Sequence, residues 1–202
     1  MTNRRDFLYL GLTALALPVV PGVWAAPAEA AVPEASAALP LYKVIFDQRF
    51  AESRAYADEM RAAGHFVHGI RGDITDVWFN DLDLRWRKGP AAIAGLTGPG
   101  AIFCLERLAW DRRMRVLFRA DHRSLPDGRI EHALSGPEHL VNRFSVPPVQ
   151  GDEWPVRMAQ WTNRFPTGPS RRAEETIIRP SLNEGKNPEH LVSWVIGSPQ
   201  VA

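Results

Sequence analysis

The sequence predicts a small α/β domain built on a mostly parallel sheet with helices wound onto both faces. Three observations lead there. Short apolar runs alternate with helix-period segments through residues 41–119, the order that a parallel sheet with crossover helices requires. The runs are short and largely apolar, as strands covered on both faces are. Most are closed by a polar or glycine-bearing turn.

The elements follow in order. Residues 41–46, ending at Asp47, read as the first strand, and 49–63 as an amphipathic helix closed by Gly64. Residues 65–70 form the second strand. The turn Arg71-Gly72-Asp73 leads into 74–87, where Val77, Trp78, Leu82, Leu84 and Trp86 mark a short helix with a looser end; Gly89-Pro90 then breaks the chain. Residues 91–96 are the third strand, Thr97-Gly98-Pro99-Gly100 turns it into a helix over 101–112, and 114–119 is the fourth strand. Pro126-Asp127-Gly128 is a turn signal, so 114–122 and 129–134 predict an antiparallel hairpin at the sheet edge.

Beyond Gly136, prolines and glycines dominate. The core domain is therefore expected over 41–135, after an Ala/Pro-rich linker at 31–40. Residues 136–202 form an irregular C-terminal extension, with one helix over 154–165 and a final strand over 190–196 that rejoins the sheet. Residues 166–189 carry few large apolar groups and read as a long excursion or a partner-wrapping arm.

Composition narrows the function classes. The 202 residues suit one domain of ordinary size, and 45% hydrophobic with 23% charged residues is the balance of a folding chain rather than a disordered one. A net charge of +1 provides no broad attraction to nucleic acid or anionic lipid. Cys104 is the single cysteine, which excludes an intramolecular disulfide and a zinc cluster of several thiolates; its place in a predicted amphipathic helix suggests core packing. The tryptophans Trp78, Trp86, Trp110, Trp154, Trp161 and Trp194 are assigned first to the core, with an exposed apolar patch near Trp154 and Trp161 expected if the C-terminal region docks on a partner.

Ahead of the domain, Arg4, Arg5, Asp6, Phe7 and Leu8 precede an apolar run to Trp24 that Pro18 and Pro21 interrupt. This segment, residues 1–30, resembles a twin-arginine export signal, with Asn3 and Tyr9 departing from the usual pattern. The run is short for a bilayer span, which needs about 20 continuous apolar residues, and small residues at Ala28-Glu29-Ala30 or Ala35-Ser36-Ala37 suit cleavage. The resemblance implies that the twin-arginine machinery exports the folded protein to the periplasm. Folding before export goes with cofactor insertion or assembly onto a partner such as a periplasmic redox-enzyme subunit. Which cofactor is not specified, and no membrane span is expected after cleavage.

The chemistry is expected at the carboxyl ends of the strands, where open parallel sheets bind ligands. Those ends carry Asp47 and Arg49, Asp73 and Thr75, Thr97 to Gly100, and Asp121 with His122. In a flavodoxin-like order, 2-1-3-4, the switch between the first and third strands brings Asp47 and Arg49 near Thr97 and Gly98. Glycines Gly98 and Gly100 let a ligand approach the backbone, and helix-start amides favour an anion. The structural alternative is that Thr97 caps the helix. The spacing fits neither a P-loop nor the dinucleotide fingerprint.

Val44-Ile45-Phe46-Asp47 and Ile93-Ala94-Gly95-Leu96-Thr97 resemble the first two motifs of haloacid-dehalogenase-type phosphotransferases. Arg49 stands where that family has its second aspartate, so phosphatase chemistry is not expected. A receiver domain is not expected either, since no paired acids precede a phosphorylatable aspartate. For metal binding, His65 and His68 point to opposite sides of a strand. His122 and His132 face each other across the predicted hairpin as a two-histidine candidate, while His139 and Glu138 fit no spacing. Ser124, Ser135 and Ser181 lack a nucleophile elbow.

Two functions compete. The first is an exported periplasmic accessory or binding protein that captures a small, anionic ligand through Arg49, Thr75, Thr97, Gly98 and Gly100, or docks on a redox enzyme. The second is a small periplasmic enzyme, hydrolytic or metal-assisted, that uses Asp47, Asp73, Asp121 and His122. Convergence of those groups in one pocket separates them.

Overall fold

A computed structural model describes residues 37–125, 129–137, 141, 153–167, 176–182 and 190–199. The export-signal residues Arg4, Arg5, Phe7 and Leu8, the turn at 126–128, Glu138 and His139 lie outside them.

Seven strands form one mixed sheet in the order β2-β1-β3-β7-β4-β5-β6. The chain runs β1 (Leu41–Asp47), α1 (Ala51–Ala62), β2 (Val67–Ile70), then a helical segment made of α2 (Thr75–Val77), a π-helical turn (Trp78–Leu82) and α3 (Asp83–Lys88). β3 (Ala92–Thr97), α4 (Pro99–Asp111), β4 (Arg115–Ser124), β5 (Arg129–Ser135), α5 (Trp154–Asn163), β6 (Thr176–Leu182) and β7 (Leu191–Gly197) follow. β1 pairs in parallel with β2 and β3, and every other pairing is antiparallel.

Helices cover both faces of the sheet. On one face, Tyr56 and Met60 of α1 and Trp154, Met158 and Ala159 of α5 pack on Val44, Ala94, Leu96, Phe118, Ala120 and Val195. On the other, Val77, Trp78, Leu82 and Trp86 of the 75–88 segment and Ala101, Ile102, Leu105 and Ala109 of α4 pack on Ile45, Ile93, Val192, Trp194 and Ile196. Consecutive strand residues serve opposite cores, which is why the central stretches of these strands read as largely apolar runs.

Three expectations are corrected here. The parallel part is limited to β2-β1-β3: β7 enters between β3 and β4 and turns that half antiparallel, so the order is not 2-1-3-4. All seven residues of Leu191–Gly197 are buried, and such a strand needs a neighbour on each side and a helix layer above and below, which the slot between β3 and β4 supplies. The β4–β5 hairpin is not the edge, since β6 pairs along β5. Nor is 166–189 wholly an excursion, because Thr176-Ile177-Ile178 supplies β-branched strand formers. Pro180, which cannot donate to a ladder, coincides with the register shift opposite Glu131, as suits an outermost strand.

Two surface assignments also change. Cys104 is exposed. Helical periodicity turns Ala101, Ile102, Leu105 and Ala109 toward the sheet and leaves Phe103, Cys104 and Trp110 outward. Trp154 is buried and Trp161 packs on Phe118 with ring centroids 4.2 Å apart, so the expected exposed patch at this pair is not formed. No helix among the described residues is long and apolar enough to cross a membrane.

Candidate functional site

Because β1, β2, β3 and β4 run in one direction and β7 against them, the carboxyl ends of four strands and the start of β7 share one edge of the sheet. α1 leaves β1 toward one face and α4 leaves β3 toward the other, so a switch point lies between β1 and β3.

Asp47 closes β1 there with no solvent exposure. Arg49 meets it in a fork: Nε donates to Oδ1 at 2.9 Å and Nη2 to Oδ2 at 2.7 Å, with the Arg49 backbone N–H adding 3.2 Å to Oδ1. The paired guanidinium is half exposed. It lies against Gly72, where a Cβ would come within 2.6 Å of Nη2 and the backbone has φ +87°, a position only glycine fills without strain. On the other side a Cβ on Gly98 would be 3.6 Å from Nη2. Ser53 ties the base of the site together: its hydroxyl accepts the Asp47 N–H at 2.8 Å and donates to the Leu96 carbonyl.

The helix starts beside this pair carry no side-chain cap. Phe50 stands at the N-cap of α1 and Gly98 at that of α4, where Pro99 opens the helix. Neither N-cap residue thus offers a side-chain acceptor to the first-turn amides. Thr97 is not that cap. It is buried, accepts the Trp194 indole N–H at 3.1 Å and donates to the Gly98 carbonyl at 3.2 Å. Gly100 is open to solvent in the first turn of α4.

Asp73 and Thr75 satisfy each other. The Thr75 backbone N–H and hydroxyl both donate to Asp73 Oδ1, at 2.9 and 2.6 Å, and these bonds lower the carboxyl's pKa. The pair lies exposed at the start of α2.

On β4 the alternation of side chains separates neighbours. Asp121 faces the α4 side, in a fork with Arg119 (2.7 and 2.9 Å) and 2.6 Å from His190 Nε2. Burial raises its pKa, but the Arg119 bonds and His190 outweigh that and leave it lowered. His122 projects to the opposite face, so it does not act with Asp121. From Asp47 to Asp121 the sheet crosses β3 and β7, three strand spacings or about 14 Å.

His122 and His132 are direct cross-strand partners, as their facing positions in the hairpin imply. Their Nδ1 atoms are 2.6 Å apart, and His122 Nε2 is 2.9 Å from Ser193 Oγ. Trp154 of α5 covers them, its ring centroid 4.3 Å from that of His122 and 5.6 Å from that of His132. Burial drives both histidines neutral: His122 falls well below its ordinary value, with the neighbouring His132 and His190 adding to the effect, and His132 falls to about 4.

Sequence reasoning passed over Gly72, Ser53, Ser193 and His190. Gly72 carried a signal, being the glycine of a polar turn at a strand end. Ser193 carried one too, as the single hydroxyl in a seven-residue run otherwise apolar or glycine. Comparison with family models, with curated proteins and with solved structures finds no match for the chain.

Proposed function

We propose that the protein is an exported periplasmic accessory protein that captures a small anion at the carboxyl ends of β1 and β3. The observation that carries this reading is the Arg49 guanidinium, anchored on the buried Asp47 carboxylate and half exposed beside the start of α4. Buried Asp47 fixes the cation's place, Gly72 and Gly98 leave room for it, and the amides of Gly100 and Ala101 supply donors without a charge of their own. A flavodoxin-like reading of the parallel β2-β1-β3 half, which its strand order supports, puts a ligand at this switch.

The enzyme reading has less support. Its residues Asp47, Asp73, Asp121 and His122 belong to four separate hydrogen-bonded sets, two of them on opposite faces of β4, and no common reacting atom lies within reach of all.

Calorimetric titration of the mature chain with inorganic phosphate, sulfate and acetate tests the anion site. Saturable binding is expected, weakened at least about tenfold in Arg49→Gln, which keeps a hydrogen-bond donor for Asp47 and removes the charge. Equal affinity in that variant, or no heat with any of the three anions, would sink the proposal. Export is tested separately. Arg4→Lys together with Arg5→Lys should leave the full-length protein in the cytoplasm by cell fractionation, and unchanged periplasmic delivery would refute the twin-arginine route.

A further inference from the structure

We infer that His122 and His132 form a buried two-coordinate site for a monovalent d10 metal ion, copper(I) in the cell. This site is separate from the anion site at Arg49: it is built on β4 and β5, on the face that α5 covers.

As a purely structural contact the pair is incomplete. Each neutral imidazole has one N–H and one bare nitrogen. With the two Nδ1 atoms facing each other at 2.6 Å, one Nδ1 carries the proton and the other accepts it. His122 is completed at its far side by Ser193, but His132 Nε2 meets no hydrogen-bond partner among the described residues although it is buried. A buried polar nitrogen left unpaired costs stability, and an apolar cross-strand pair would avoid that cost.

An ion between the two Nδ1 atoms takes the place of their hydrogen bond and fixes both tautomers, while His132 Nε2 stays without a partner among the described residues. Both ligating nitrogens are then deprotonated, both rings carry their proton at Nε2, and the His122 Nε2–H donates to the Ser193 hydroxyl, an outer-shell bond that fixes the ring's orientation and tautomer. Metal–imidazole bonds of ~2 Å on a line place the nitrogens ~4 Å apart, so the rings part by roughly 1.4 Å, a small swing for side chains on facing strands.

Charge and number select the ion. No carboxylate or thiolate joins the pair, and no group of three or more such ligands is arranged to hold a metal among the described residues. Two neutral donors in a dry core leave a divalent ion's charge uncompensated and short of the four ligands that zinc takes. A monovalent d10 ion carries half that charge and is satisfied by two ligands in line. The Trp154 ring, stacked on His122, adds an electron-rich face beside it. His122, His132, Trp154 and Ser193 are all almost fully buried. A closed box suits an ion loaded as the chain folds, in contrast to a substrate that must enter and leave.

The test uses the mature chain carrying Cys104→Ser, because the exposed thiol is itself a copper(I) ligand. Refolded with copper(I) under anaerobic conditions and then challenged with the chromogenic chelator bicinchoninate, the protein is expected to retain one equivalent. His122→Gln and His132→Gln should each lose it, while Ser193→Ala, which keeps both ligands, should weaken retention by about 10- to 100-fold. Should the histidine variants fail to fold, nitrogen-15 spectra of the Cys104→Ser protein decide. Loading is expected to shift Nδ1 of His122 and His132 and to leave the other histidines in place. No retained copper, retention unaffected by both glutamine variants, or shifts at other histidines only would each overturn the inference.

Discussion

Replacing Trp194 by alanine is expected to lower the unfolding free energy by about 4 kcal/mol. Trp194 is almost fully buried at the centre of β7, directly opposite Gly95 of β3, and its indole N–H is held by Thr97. Truncation removes a large buried ring, opens a cavity between two strands and strands the Thr97 hydroxyl; buried tryptophans truncated to alanine typically cost 3–5 kcal/mol. Gly95 is shaped to this ring, since a Cβ there would lie 2.6 Å from Trp194 Cζ2 and 2.3 Å from the Ile45 carbonyl oxygen. Gly95→Ala should therefore be destabilising by itself and less so in the Trp194→Ala background, where one of its two clashes has gone. Urea unfolding followed by far-ultraviolet circular dichroism gives both numbers. A Trp194→Ala loss under about 1 kcal/mol would mean that β7 is not packed centrally as described.

Acid lability is the second large effect. His132 titrates near 4 in the folded protein against 6.5 for an ordinary histidine, because burial penalises its charged form. Between those values the unfolded chain takes up a proton that the folded one refuses. Stability is therefore full above about pH 6.5, falls as the pH drops toward 4, and levels off below. The total from His132 alone is about 3 kcal/mol. His122, whose pKa burial also lowers, acts in the same direction. Asp81 and Asp121, whose carboxyls are held low by their partners, lose their contribution only below the ordinary aspartate range, so the two windows separate. Urea midpoints measured from pH 7.5 to 4.5 should hold down to about pH 6.5 and then decline in the wild type, and decline less in His132→Gln. A flat wild-type profile over that range would contradict the burial of the pair.

The legible part of this fold is the part set by local pattern. Residues 41–47 and 92–97 are strands because each is an apolar run with β-branched members, and α1 and α4 follow them because polar residues enter at helical spacing. Even the facing of His122 and His132 could be read, since it needs only a turn and a period of two. What stayed hidden depends on partners distant in sequence. Nothing in Leu191–Gly197 says that it will sit between β3 and β4; that choice rests on the fit of Trp194 to Gly95, ninety-nine positions apart. The fate of Cys104 turned on which stripe of α4 faces the sheet, a matter of the helix's rotation. At the candidate site, Asp47 and Arg49 were visible as a strand end, whereas the space that Gly72 leaves for the guanidinium is visible only in three dimensions.

The position of β7 also orders the events of synthesis. β1 to β3 can assemble as one half-sheet and β4 with β5 as another before residues 191–197 leave the ribosome, yet each half then ends in an unpaired edge, β3 in one and β4 in the other. The strand made last is the one that covers both edges and completes both cores. Much of the pairing is therefore of long sequence separation, which slows folding and exposes adhesive edges to other chains in the interval. Newly made protein should depend on chaperone protection until its final strand is in place.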